Sequence, residues 1–169
     1  MTQPEIEQLM ETYSVYLLKL AYVYVKDRQL AEDIVQEVFI QLYERNAYEE
    51  RGKMKSYVTT LVVNRCKNHL KSWSYRMFQL KDSFTEKPHT EKDALVEQDE
   101  RQQIGQALFA LPFKYREVLF FHYYEEMKVA DIAATLSMSE NTVKTRLVKA
   151  RQLLRETLPR HDWEVLGYE

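Results

Sequence analysis

The sequence predicts an all-α protein: two small helical domains joined by a flexible acidic linker, the second containing a helix-turn-helix. Three observations predict it. The 169 residues include only three Gly and four Pro, too few for a loop-rich or all-β chain. Apolar residues return at three- and four-residue steps through most of the chain. One stretch, "LKDSFTEKPHTEKDALVEQDE", breaks that rhythm with polar, mostly acidic residues and Pro88. The expected division is a domain over 1–79, a linker over 80–100, a domain over 101–160 and a tail over 161–169.

The elements follow in order. Leu9, Tyr13, Tyr16, Leu17, Leu20 and Tyr24 mark one side of a first helix that ends near Lys26 and Asp27. Leu30, Ile34, Val38 and Leu42 make an i, i+4 stripe in a second, with Val35 and Phe39 beside it, Asp27 as N-cap and acids early in the helix. "NAYEERGKMKS" reads as a loop, after which Ser56 caps a third helix from Tyr57 to about Tyr75, apolar at Val58, Leu61, Val62, Cys66 and Leu70. A further helix begins near Ala94, and its stripe of Ile104, Leu108 and Leu111 stops at Pro112. Tyr115, Val118, Leu119 and Tyr123 form the next stripe. Two units, "VADIAATL" and "ENTVKTRLVKARQLLRET", close the second domain across the turn "SMS".

Composition narrows the function. Cys66 is the single cysteine, so there is no intrachain disulfide and no cysteine cluster for zinc. His69, His89, His122 and His161 lack metal-ligand spacing, and Asp33 with Glu37 has no third ligand nearby, so no catalytic residue, metal or cofactor is expected. The acidic N-terminus lacks a signal-peptide core and no apolar run approaches the roughly 20 residues of a membrane span, which points to the cytoplasm.

The net charge of -2 hides an asymmetry. From Arg51 to Lys81 the chain holds eight basic residues and no acid, while the remainder is strongly acidic. A local basic patch in an acidic protein indicates a local anionic partner. Asn64, Lys67, Asn68 and Lys71 fall at i, i+3, i+4 and i+7, a single ridge with amides for base edges and ammonium groups for phosphates. Trp73, Tyr75 and Phe78 follow; cations interleaved with aromatics suit a separated strand, because stacking contributes about 1–3 kcal/mol per base. Phe78 is more simply read as core.

"ADIAATLSMSENTVKTRLVKARQLL" is the most specific signal. Small residues (Ala130, Ala133, Ala134) let a short helix pack against a second across a tight turn, with Ser139 as N-cap. On a helical wheel Val143, Leu147, Ala150 and Leu154 form the buried face. Asn141, Thr145, Val148, Lys149 and Gln152 face outward with Lys144 at the edge, a polar set suited to a major groove. One half thus suits duplex DNA and the other a separated strand.

On these motifs the chain resembles the extracytoplasmic-function sigma factors, the compact class of bacterial RNA polymerase sigma subunits. "AEDIVQEVF" looks like their core-binding segment, "SYVTTLVVNRCKNHLKSW" like the helix that recognises and melts the −10 element, and the stretch from "LPFKYREVL" through "TVKTRLVKAR" like region four. The sequence departs from the family at Val63, where Arg is common, at Asn68, where Asp is common, and at Ser137 and Glu126, where Gly is usual. The resemblance implies region 2 over 1–79 and region 4 over 101–160. It assigns Asp33, Gln36 and Glu37 to core polymerase, and Asn64, Lys67, Asn68, Lys71, Trp73 and Tyr75, with the loop from Asn46 to Lys55, to −10 recognition and melting. Ser139, Asn141, Thr142, Lys144, Thr145, Arg146, Val148 and Lys149 go to −35 recognition. Implied partners are core RNA polymerase at its clamp and flap, promoter DNA and an anti-sigma factor, membrane-bound in many members, with release under envelope or other stress. The acidic linker would lie in the RNA exit channel, and no small-molecule substrate is implied.

Two other functions compete with this one. A DNA-binding repressor or activator needs a dimerisation, ligand or phosphoacceptor unit that the N-terminal half does not offer. An enzyme acting on nucleic acid needs the ligand or acid–base constellation found missing above.

Overall fold

The computed structural model describes residues 2–45, 53–80 and 99–158, with the side chains of 45, 73, 75–80 and 99–102 outside that description. Among these residues every regular element is helical: α1 Gln3–Val25, α2 Arg28–Arg45, α3 Met54–Leu80, α4 Asp99–Ala110, α5 Phe113–Leu119, a π-helical turn Phe120–Tyr124, α6 Val129–Thr135 and α7 Glu140–Thr157. The loop before Lys53, most of the acidic linker and the tail fall outside the described residues.

Helices α1, α2 and α3 pack against one another. Leu17, Leu20, Ala21 and Tyr24 meet Ile34, Val35, Val38, Phe39 and Leu42 of α2 and Val58, Val62, Val63 and Cys66 of α3. Local chemistry sets the ends. The Thr2 amide donates to Glu5 Oε2 at 2.6 Å, holding that carboxyl below its usual range. Lys26 closes α1 in the left-handed region at φ 56°, and the Leu30 amide donates to Asp27 Oδ1 at 2.8 Å as α2 begins.

Three local expectations change. Ser56 lies inside α3 rather than capping it: the helix starts at Met54, the Tyr57 amide bonds Lys53 O, and Ser56 O accepts from Thr60. The helix also runs on to Leu80. No acid occupies the first turn of α2, because the helix begins at Arg28 and reaches Glu32 and Asp33 only in its second turn.

In the second half α5 and α6 pack on α7 through Val118, Leu119, Ile132, Ala133, Val143, Leu147, Ala150 and Leu154. The apolar stripe expected to reach Tyr123 does not. The wider π-helical turn shifts the register, so Phe121 is fully buried while Tyr123 is exposed. Of the three small residues in α6 only Ala133 turns inward; Ala130 and Ala134 face out, and Ile132 fills the contact.

The halves touch. Helix α1 meets α5, and α3 meets α6. Tyr16 stacks on Phe120 at 6.3 Å, Tyr22 meets Phe109 edge-on at 5.2 Å and Tyr24 leans on Phe113 at 6.0 Å.

Candidate nucleic-acid interface

The helix-turn-helix is α6 and α7 with the turn Ser137–Ser139 between them. Ser137 takes φ 52°. Its amide reaches Ala134 O and the Met138 amide reaches Ala133 O at 3.0 Å, which satisfies the last carbonyls of α6. Ser139 then caps α7: its Oγ accepts the Thr142 amide at 3.1 Å and pairs with Thr142 Oγ1 at 2.8 Å.

Along α7 the buried residues are Val143, Leu147, Ala150 and Leu154. Asn141, Lys144, Thr145, Val148, Lys149 and Gln152 are exposed. Val148, 62% exposed, stands as an apolar residue in a polar face. The Thr145 hydroxyl donates to Asn141 O at 2.8 Å, and Lys149 Nζ to Gln152 Oε1 at 3.3 Å. Arg146 turns away from this face and donates to Glu117 Oε1 at 2.9 Å.

On α3, Asn64, Asn68 and Lys71 are exposed. Lys67 is not free among them; its Nζ lies 3.0 Å from Glu117 Oε2. Other cations of the acid-free window find acids elsewhere in the fold. Lys55 pairs with Glu125 at 2.6 Å and sits over the Tyr16 ring at 4.6 Å. Arg65 bonds Gln41 Oε1 at 2.8 Å and lies 3.6 Å from Glu37. The window lacks carboxylates in sequence and acquires them in space. The side chains of Trp73 and Tyr75, and residues 46–52 of the expected capture loop, lie outside the described residues.

Asp33, Gln36 and Glu37 are exposed on one side of α2. Ile40 at 49% and Tyr43 at 50% exposure extend that side, and Glu37, Ile40, Gln41, Glu44 and Arg65 line an open groove of about 430 Å³. Sequence reading passed over Ile40 and Tyr43. Their signal was available: apolar residues outside the buried stripe, one turn beyond the acidic set.

It also passed over Arg116 and Glu117. Arg116 is buried and donates to Val23 O at 2.6 Å, Tyr24 O at 2.9 Å and Leu111 O, so a cation rests on the carbonyl end of α1, where the helix dipole is negative. Burial pushes its guanidinium down to about 10, with Tyr24 opposing, so it is charged at neutral pH. Glu117 is fully buried and also accepts from Tyr24 Oη at 2.5 Å. Burial raises the Tyr24 phenol well above its ordinary range, and the Glu117 charge adds to the rise. "REVL" offers no sign that adjacent charges turn inward, because their partners lie far off in the chain.

Comparison with known proteins decides what this arrangement is. A model described as Sigma-70 region 2 matches residues 9–74, and one described as Sigma-70, region 4 matches 101–154. The chain belongs to the sigma-70 family, in its extracytoplasmic-function class. It is similar to the RNA polymerase sigma factor SigV of Bacillus subtilis, 28% identical over 159 residues and 85% of each chain. To the RNA polymerase sigma-E factor of Streptomyces coelicolor it is 29% identical, over 98% of this chain and 92% of that one. The fold matches that of a solved structure, the sigma factor RpoE with the anti-sigma factor NepR from Bartonella quintana, at a TM-score of 0.72 and 20% identity, over 90% of this chain and 96% of that one. The sigma-factor regions fall on the described helices: region 2 on α1–α3 and region 4 on α4–α7. Among the described residues no cluster of His, Cys, Asp or Glu is fit to hold a metal ion, and no helix is long and apolar enough to cross a membrane.

Proposed function

We propose that this sigma factor binds core RNA polymerase through the outer side of α2, reads and opens the −10 element with α3, and reads the −35 element with α7. The observation that carries this reading is the presence of both regions in one chain, each with an exposed polar helix face of the required chemistry. Asn141, Lys144, Thr145, Val148 and Lys149 suit a major groove: amide and hydroxyl for base edges, ammonium for guanine or phosphate, and Val148 for a thymine methyl. Asn64, Asn68 and Lys71 form the ridge for a base taken out of the stack, with Trp73 and Tyr75 following. Flipping costs a few kcal/mol, offset by the contacts the base then makes, so the same step reads sequence and opens the duplex.

Asp33, Gln36 and Glu37, with Ile40 and Tyr43, give the polymerase-facing side an acidic set next to an apolar anchor. Ser139 and Thr142 serve the −35 set by fixing the start of α7. The activity is binding rather than catalysis, with the polymerase supplying the chemistry. A protein of the anti-sigma kind is its regulator on this reading, in the cytoplasm or at the inner face of the membrane.

Run-off transcription with purified core polymerase, this chain and a promoter library tests the reading. Transcripts from a defined subset of promoters that require the chain are expected. Absence of transcripts, with direct duplex binding by the chain alone, would favour a stand-alone repressor or activator.

A further inference from the structure

Arg65 stands on α3 beside Asn64 of the ridge, yet its guanidinium reaches across to α2. Nη2 donates to Gln41 Oε1 at 2.8 Å, and Nη1 lies 3.6 Å from Glu37 Oε2. Neither Arg65 nor Gln41 has a role in the function proposed above.

The chemistry of the pair fixes which end of the Gln41 amide is free. A guanidinium carries only donors, so it can hold the amide by its oxygen and in no other way. A glutamine without such a partner can turn either end toward a ligand. Here the oxygen is engaged, and the NH2 group, with two donors, is left to face elsewhere. Among the described residues nothing accepts from it. Gln41 is half-buried and lines the open groove shared with Glu37, Ile40, Glu44 and Arg65.

The groove therefore has a definite pattern. Glu37 and Glu44 are exposed acceptors, Ile40 is an exposed apolar surface, and the Gln41 amide is a donor between them. Arg65 holds Glu37 only loosely, since 3.6 Å exceeds hydrogen-bond length, so that carboxylate is open to a further cation. A matching surface brings an oxygen acceptor to Gln41, an apolar side chain to Ile40 and a basic group to the carboxylates. The groove continues the side of α2 that carries Asp33, Gln36 and Glu37.

We propose that Gln41 is a further contact to core polymerase, acting as a hydrogen-bond donor, and that Arg65 is the positioning residue that makes it one. The surface on α2 thus takes part of its chemistry from α3, the helix assigned to the −10 element. The inference rests on the sigma-factor reading above.

Fluorescence titration of full-length variants with core polymerase tests it, with urea midpoints recorded alongside. Gln41→Glu keeps an oxygen for Arg65 and replaces the NH2 group by a second acceptor. Its urea midpoint should match or exceed that of wild type, while binding should fall about threefold to tenfold, the scale of one hydrogen bond. Charge alone would act the other way, because a partner with a cation for Glu37 gains from another carboxylate. Arg65→Met releases the amide and should also weaken binding. Arg65→Lys still donates to Oε1 and should restore binding to within about twofold of wild type. In a Gln41→Met background, Arg65→Met should add at most about a twofold loss, which separates positioning from a contact of its own. Binding by Gln41→Glu or Gln41→Met equal to wild type overturns the donor role, and fully additive losses overturn positioning. The wild-type chain separates the failures: if it binds core polymerase and supports run-off, unaffected variants end only this inference. A wild-type chain that does neither ends the sigma-factor reading with it.

Discussion

The phenol of Tyr24 on α1 donates to the carboxylate of Glu117 on α5 at 2.5 Å, across 93 residues of chain. Glu117 needs that donor and its two cations, because an isolated buried carboxylate is strongly disfavoured. Glu117→Ala is expected to cost roughly 3–5 kcal/mol, since it leaves Arg146 and Lys67 without a counter-charge. Glu117→Gln keeps an acceptor and the volume, and should cost about 1–3 kcal/mol. Urea unfolding measures both; a loss under about 1 kcal/mol for the alanine variant contradicts the cluster's role in holding the fold.

Arg146 and Lys149 sit one turn apart on α7 and should respond differently. Lys149 is exposed, so Lys149→Ala should leave stability within about 0.5 kcal/mol of wild type. It should weaken −35 binding and reduce the salt slope by about one phosphate. Arg146→Ala should destabilise the chain by stranding Glu117. Thermal melts beside salt titrations of duplex binding separate the two; an unchanged slope for Lys149→Ala counts against its phosphate contact.

Ser137 and Glu126 hold φ values of 52° and 53°, where a side chain is strained and glycine is not. Ser137→Gly and Glu126→Gly should each stabilise the protein by up to about 1 kcal/mol, strain relief less the entropy glycine adds to the unfolded chain. A lower melting temperature in either variant would show that its side chain makes a contact worth more than the strain.

Glu37→Lys reverses charge on the outer side of α2, the side we propose for core polymerase. Glu37 is exposed and its pair with Arg65 is long, 3.6 Å, so the fold should tolerate the change. Binding to core polymerase should fall at least about tenfold, one lost charge contact plus one repulsion. Undiminished binding in a fluorescence titration would remove Glu37 from that surface.

Alkaline stability follows from groups held neutral. Burial pushes the Tyr16 phenol and the Cys66 thiol each up to about 12, and Tyr24 higher than its ordinary range. Folded pKa values above the unfolded ones mean that the folded state holds more protons once pH passes about 9 for the thiol and 10 for the phenols. The stabilisation is complete below those values and is lost as pH rises toward 12. Urea midpoints measured from neutral to alkaline pH should fall above about pH 9, less steeply in Tyr24→Phe.

The helix-turn-helix was nearly all legible. Val143, Leu147, Ala150 and Leu154 are the buried face the wheel predicts, and Ser139 and Asp27 cap the helices expected of them. Periodicity and capping are local, set by residues three or four apart. The misreadings came where local rules compete. Ser56 is as good a cap as Ser139, but α3 had already begun, and a π-helical turn has no period to announce it.

By itself, then, the sequence determined where the helices lie along the chain, the buried and polar faces of α7, and the family. Tertiary structure alone decided that Lys67 and Arg146 meet at Glu117, that Arg116 sits on the end of α1, and that the acid-free window is partly neutralised by acids from α2, α5 and the residue after the π-helical turn. The physical reason is range. A helix is dictated by neighbours along the chain, whereas a charge takes its partner from whatever the packing brings near, here from 29 residues away for Arg146 and 93 for Tyr24.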